Sequence, residues 1–256
     1  MDRKTAFVTG GSKVTGKCIA LRFGEAGYDV GITYLNDAEG ALDTVEQIKK
    51  NGMRAKAYHA DTRDIERVRN VFNDFTADFL RFDVLVNNVG ITQLQPFLDI
   101  SEKTFDEVIN TNLKGTFFTT QSAAKIMKEL GNGGVILNMS SVHAHGTWPG
   151  DTIYATTKAG INRMTEAMAL DLAEDGIRVV CVAPGYIAMG HEKSHYNTER
   201  YNAILRRIPM HRFAHAGEIG DVCVFLASEK ASYITGTTLY VEGGVMLPVV
   251  TENTYV

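Results

Sequence analysis

Short, continuous apolar runs punctuate the chain at 5–9, 29–34, 54–59, 84–87, 135–140, 178–183 and 238–241. Each is only four to six residues long, and none keeps a strict in–out alternation. That is the pattern of strands covered on both faces. Between them, 16–25, 40–50, 65–79, 102–130, 153–174 and 219–227 place apolar residues every three or four positions, as amphipathic helices do. Strand–helix alternation of this kind predicts an α/β fold, a seven-stranded parallel sheet doubly wound with helices on both faces. No linker, repeat or low-complexity segment interrupts it, so 1–256 reads as a single domain. One stretch breaks the rhythm. Residues 184–217 are polar and aromatic, with a short helix expected around 198–207. A span of about 185–217 with so little periodicity is expected to be a lid over a site.

Composition narrows the function class. Of 256 residues 45% are hydrophobic and 22% charged, ordinary for a globular protein, and the net charge of −4 argues against nucleic acid as a partner. Cys18, Cys181 and Cys223 are odd in number and far apart, without a C-x-x-C or Cys/His cluster. They read as buried thiols, with no disulfide framework and no metal site. The N-terminal MDRKTAFVTG has no signal-peptide core, and no apolar run is long enough to span a bilayer. A cytoplasmic protein without membrane contact is the expectation.

Two features carry chemistry. TGGSKVTG, from Thr9 to Gly16, follows the first expected strand and opens the first expected helix. Glycines there let the backbone turn sharply, and a helix N-terminus offers N–H groups and a positive dipole end to a pyrophosphate. Further on, Tyr154 and Lys158 lie four residues apart in YATTK, and Ser141 lies thirteen residues ahead of the tyrosine. Four residues is just over one helical turn, so phenol and ammonium share a helix face. A nearby cation favours the phenolate and suits a phenol to proton exchange, while a serine hydroxyl holds a carbonyl or alcohol oxygen. This is acid–base chemistry on an oxygen whose carbon gains or loses hydride.

With TGGSKVTG and YATTK, the pieces NNVG (87–90), NTNLKGTF (110–117), NMSS (138–141), APGYI (183–187) and ASYITGTTLYVEGG (231–244) resemble the short-chain dehydrogenase/reductase family over nearly the full chain. NMSSVH with the following Trp148–Pro149 pair, and IPMHRF, look most like bacterial glucose 1-dehydrogenases. The resemblance implies a Rossmann domain and a nicotinamide cofactor. It implies four catalytic residues: Asn112 holding a water that links the lysine to solvent, Ser141 (not its neighbour Ser140) orienting the substrate oxygen, Tyr154 exchanging the proton, and Lys158 promoting that exchange and binding the nicotinamide ribose. It also implies cofactor contacts from Gly10, Ser12, Lys13, Gly16, Asp61, Asn88 and Ile187, besides Tyr154 and Lys158, with Asp61 at the adenine. Three positions depart from the family pattern. Val14 replaces the middle glycine of the turn, Val89 the alanine of NNAG, and Met189 the threonine that bonds the carboxamide. An active enzyme of modest cofactor affinity is the expectation. At the end of the second strand Tyr34 and Leu35 stand where an acid would select NAD(H), Asp37 comes too late, and Lys13 matches a position that meets a 2′-phosphate. NADP(H) is therefore expected over NAD(H).

His143, His145 and Trp148 lie between serine and tyrosine and are expected to rim a pocket for a small-molecule substrate: a sugar, polyol or keto compound. Packing of their own loop is the alternative. Tyr186, Met189, His191, His195 and Tyr196 are expected to close over the site. A 3-oxoacyl-carrier-protein reductase is a competing reading, but KELGNG and LAEDG place acids where an acidic carrier needs cations. HEKSH at 191–195, with Glu218 downstream, fits a zinc motif, though its polar surroundings suit no packed helix. A non-catalytic dinucleotide sensor would tolerate all three departures. Family resemblance implies a homotetramer, joined through the helices at 102–130 and 153–174 and the last strand.

Overall fold

A computed structural model of the protein describes residues 3–190 and 197–247. Seven strands form one sheet: β1 (Thr5–Val8), β2 (Asp29–Tyr34), β3 (Ala55–His59), β4 (Val84–Asn87), β5 (Gly134–Met139), β6 (Ile177–Pro184) and β7 (Thr238–Val241). All are parallel, in the order β3-β2-β1-β4-β5-β6-β7. The helices are α1 (Val14–Glu25), α2 (Ala38–Lys50), α3 (Ile65–Phe79), α4 (Glu102–Val108), α5 (Gly115–Leu130), α6 (Thr152–Leu172), α7 (Thr198–Arg207) and α8 (Ala216–Ala227). This is the expected doubly wound sheet. The chain reverses its direction of winding between β1 and β4, and a crevice opens there at the carboxyl ends of the strands.

Side-chain alternation on β1 divides the core. Ala6 and Val8 face a layer made with Ile19, Phe23, Val45, Ile48, Ile219 and Leu226 of α1, α2 and α8. Phe7 faces the other way, toward Phe72, Phe75, Val71 and Met127 of α3 and α5. Its ring meets Phe72 and Phe75 edge-on, at centroid distances of 4.9 and 5.0 Å. Gly31, opposite Phe7 in the β1–β2 register, makes room for this cluster. A Cβ there would lie 2.7 Å from atoms of both Phe7 and Phe75.

The expected helix over 102–130 is corrected by the structure. α4 ends at Val108, a π-helical turn occupies Ile109–Lys114, and α5 begins at Gly115. Asn112 lies fully buried in that turn, and the freed backbone is re-satisfied in part by Thr116 Oγ1, which donates to the Asn112 carbonyl at 2.7 Å. Such wide turns place a side chain where an α-helix would not. Helix starts also differ from periodicity alone. Asp37 accepts from the Gly40 N–H and starts α2 at Ala38, while Glu218 bonds back to the His215 N–H and starts α8 at Ala216.

Gly31→Ala is expected to lower stability by about 1–3 kcal/mol through overpacking. Urea unfolding should show a lower midpoint with an unchanged slope.

Candidate active site

The turn between β1 and α1 is built on close approaches. Gly10 has φ +68°, and a Cβ on Gly16 would collide with the Gly10 carbonyl oxygen. Asn88 ties the turn to the end of β4: its Nδ2 donates to the carbonyls of Thr9 (3.0 Å) and Gly10 (3.3 Å), and its N–H donates to Thr9 Oγ1 (2.9 Å). Lys13 is extended ahead of α1 and makes no side-chain cap, so the first-turn N–H groups are left to face the crevice. Val14 follows with φ +43°. A β-branched residue there is strained, where the glycine of the family pattern would not be.

Gly10, Ser12, Lys13, Val14, Gly16, Asp61, Asn88, Val89, Ile187 and Met189 all line one cavity of about 830 Å³. It reaches Tyr34, Leu35 and Asn36 beyond the end of β2. Asp37 also lines it, but its carboxylate caps α2. Asp61 is gripped by Arg63, whose guanidinium and N–H hold its carboxyl below the usual carboxylate range. Beside it Thr62 borders the cavity, with its Oγ1 buried and without a hydrogen-bond partner among the described residues. An elongated groove and a glycine cradle at a helix N-terminus fit a dinucleotide.

A smaller cavity of about 170 Å³ shares Thr15, Asn88, Gly90, Gly185 and Ile187 with the first, and is lined by Ser141, Tyr154 and Lys158. Tyr154 and Lys158 lie on one face of α6, with Lys158 Nζ 5.5 Å from the centre of the phenol ring. Lys158 is only 4% exposed, and its Nζ donates to the Met139 carbonyl at 2.8 Å. Asn112 is locked to Ile91, accepting from its N–H (2.8 Å) and donating to its carbonyl (2.9 Å), with a further bond to Thr157 Oγ1 at 3.2 Å. Gly90 separates amide and ammonium: a Cβ there would lie 3.3 Å from Lys158 Nζ and 3.5 Å from Asn112 Oδ1. Ser140 and Ser141 both border this cavity; Ser140 Oγ donates to the Lys158 carbonyl at 3.1 Å, while Ser141 Oγ accepts from the His143 N–H at 3.3 Å, at the start of the turn Val142–Ala144.

Of the expected rim residues, His143 and Trp148 come together beside Tyr154, behind the walls of the two cavities and not among the residues that line them. Their rings stack at 4.1 Å, and His143 meets the Tyr154 ring edge-on at 5.3 Å. His145 is exposed. Tyr186 packs on Phe213 and lines the larger cavity, not the smaller one. The backbone at 186–188 is pinned to Ala214 by two hydrogen bonds, closing the base of the expected lid. His191, His195 and Tyr196, and with them the HEKSH motif, lie outside the described residues. Glu218, its conceivable partner, is engaged elsewhere: the Arg212 guanidinium and the His215 N–H hold its carboxyl down at about 2. Among the described residues no group of three or more His, Cys, Asp or Glu is placed to hold a metal ion, and no helix is long and apolar enough to cross a membrane. Sequence reasoning missed Asp151, Arg63 and Thr62, because none stands in a motif.

Residues 12–246 match a family model described as enoyl-(acyl carrier protein) reductase, of the short-chain type. The chain belongs to the short-chain dehydrogenase/reductase family. These oxidoreductases act on CH–OH and C=O groups with a nicotinamide cofactor. The chain is 39% identical over 244 residues to a 3-oxoacyl-acyl-carrier-protein reductase of Staphylococcus aureus, covering 95% of this chain and 98% of that protein. It is also 39% identical to glucose 1-dehydrogenase 2 of Bacillus subtilis, covering 95% of each. Among solved structures, acetoin dehydrogenase from Enterobacter cloacae superposes with a TM-score of 0.90 at 34% identity, covering 99% of both chains.

Within this short-chain dehydrogenase/reductase, Val14→Gly removes the strained φ at the phosphate turn. Strain of this kind costs about 1–3 kcal/mol, against about 0.5–1 kcal/mol for the added freedom of an unfolded glycine. A net gain of about 1 kcal/mol is expected, read as a raised thermal midpoint in calorimetry. An unchanged or lowered midpoint would show that the turn accommodates valine without strain.

Proposed function

We propose that this enzyme uses NADP(H) to interconvert a small carbonyl compound and its alcohol, with a sugar, polyol or hydroxy ketone as substrate class. The observation that carries the reading is the pairing of Tyr154 with a buried Lys158 on the wall of a small cavity that joins the long groove. Gly10, Ser12 and Gly16 would hold the pyrophosphate, Asp61 and Asn88 would contact the adenosine half, and Ile187 would contact the nicotinamide. The bound nicotinamide supplies or accepts the hydride. Ser141 holds the substrate oxygen, and Tyr154 gives that oxygen its proton or takes it away. Lys158 keeps positive charge beside the phenol as its proton leaves, and Asn112, fixed by Ile91, holds the water that returns the proton from solvent. Lys13, together with Tyr34 and Leu35 where an acid would repel a 2′-phosphate, supports NADP(H) over NAD(H). The segment at about 185–217 acts as a lid over a single domain.

Similarity to a carrier-protein reductase favours a second reading, a 3-oxoacyl-carrier-protein substrate. Charge weighs against it. Lys128 of KELGNG is already paired with Asp175 of LAEDG at 2.9 Å. The assembly proposed is a homotetramer, in the cytoplasm; exposed apolar side chains support the association, Phe105 and Phe117 on α4 and α5, and Phe225, Leu239 and Tyr240 on α8 and β7.

Tyr154→Phe is expected to lower substrate-dependent NADPH oxidation by about 10²–10⁴-fold while cofactor binding, read by NADPH fluorescence, is retained. A variant that oxidises NADPH as fast as the parent would overturn the assignment. A parent protein that binds NADPH yet turns over no sugar, polyol or ketone would make it a dinucleotide sensor. Faster turnover with NADH than with NADPH would reverse the cofactor preference.

A further inference from the structure

Asp151 stands just ahead of α6, three residues before Tyr154, with a side chain only 4% exposed. Its Oδ2 meets His143 Nδ1 at 2.7 Å and accepts from the Trp148 N–H at 3.0 Å. A buried carboxylate is an acceptor only, so the short contact fixes a proton on Nδ1. In the neutral ring Nε2 then carries a lone pair and no proton. Trp148 holds the ring plane from one side by stacking, and Tyr154 meets its edge. Trp148 is itself held: Gly146 leaves the space for it, since a Cβ there would lie 3.0 Å from the indole and 2.9 Å from Met246 Cε. The imidazole is thus oriented from three sides, about one-quarter exposed, and its Nε2 has no protein hydrogen-bond partner among the described residues.

We propose that Asp151 is a positioning residue that presents His143 Nε2 as an acceptor for a substrate hydroxyl close to the reacting carbon. The inference rests on the oxidoreductase reading and narrows its substrate class. An acceptor beside the phenol rewards a substrate that brings a donor. Hydroxy ketones, polyols and sugars bring one, whereas a plain ketone carries only C–H groups there and a 3-oxoacyl thioester a second acceptor. A site that bonds a substrate hydroxyl discriminates strongly against the analogue lacking it, because its own polar group is left unpaired. His143 therefore sets specificity, and Asp151 acts through it.

The test compares 3-hydroxybutan-2-one with butan-2-one as NADPH-dependent substrates of the parent, His143→Phe, Asp151→Leu and Asp151→Asn. The parent is expected to prefer the hydroxy ketone in kcat/KM by at least about tenfold. His143→Phe and Asp151→Leu should erase that preference, mainly through KM for the hydroxy ketone, with kcat/KM falling at least about tenfold further for the hydroxy ketone than for butan-2-one. Asp151→Asn keeps an acceptor for Nδ1–H and should restore most of the preference. Equal losses on both ketones would mark the pair as structural and overturn the proposal, as would a preference that survives His143→Phe. A second measurement needs no turnover. Imidazole ¹⁵N shifts should report the Nδ1–H form of His143 in the parent and its loss in Asp151→Leu, and an Nε2–H form in the parent would overturn the proposal. Turnover of neither ketone by the parent would count against the oxidoreductase reading, while the ¹⁵N shifts would still decide whether Asp151 sets the ring.

Discussion

A lysine ammonium buried at the carboxyl end of a parallel sheet is the constraint from which the site is built. Removing a cation from water costs several kcal/mol unless other groups replace the lost hydration. At Lys158 the Met139 carbonyl at the end of β5 supplies one acceptor, and the π-face of Tyr154 lies on the same helix surface. The remaining N–H bonds face the cavity past Gly90, where a side chain would fill the gap to Asn112. An amine held this way keeps hydrogen-bonding capacity toward the cavity and lies beside a phenol. Both follow from one desolvated group.

The fold makes this placement affordable by putting satisfied polar groups beneath it. Asn87 of β4 and Asn138 of β5, paired in register, bond each other at 2.9 Å. Thr119 and Thr120 of α5 bond Asn87, and Thr165 of α6 accepts from Asn138. This buried network locks the two long helices to the strand ends on which the site stands. Fully satisfied networks of this kind fix geometry more than they add stability. Rigid seating of α6 brings Tyr154 and Lys158 to the same wall as Ser141, which leaves β5 by a separate loop.

The sheet was legible from seven apolar runs because its central strands, buried on both faces, announce themselves by composition while the edge strands β3 and β7 follow from the strand–helix rhythm, and the tyrosine–lysine pair because helical spacing is arithmetic. Two kinds of information were not legible. Asn112 is in the expected motif, yet periodicity predicts an unbroken helix there. The π-helical turn that aims it inward is a tertiary compromise around Ile91 and Thr157. Asp151 and Thr62 matter through what they touch or lack. A carboxylate that orients a histidine eight residues away, and a buried hydroxyl without a partner among the described residues, depend on loop paths that no local pattern encodes.

Two of the three departures from the family pattern meet at one place. Val14 is strained at the start of α1, and Val89 presses on the same turn from β4, where a Cβ on Gly10 would come within 2.9 Å of its Cγ2. Two valines so placed share one space and one backbone, so their effects on the turn are not independent. Strain at a ligand-binding turn persists only where the surrounding structure holds it, and here Asn88 does so through both Thr9 and Gly10. Beside Tyr154 the Asp151–His143–Trp148 stack adds order instead of strain, because each ring is held by a hydrogen bond or a neighbouring ring.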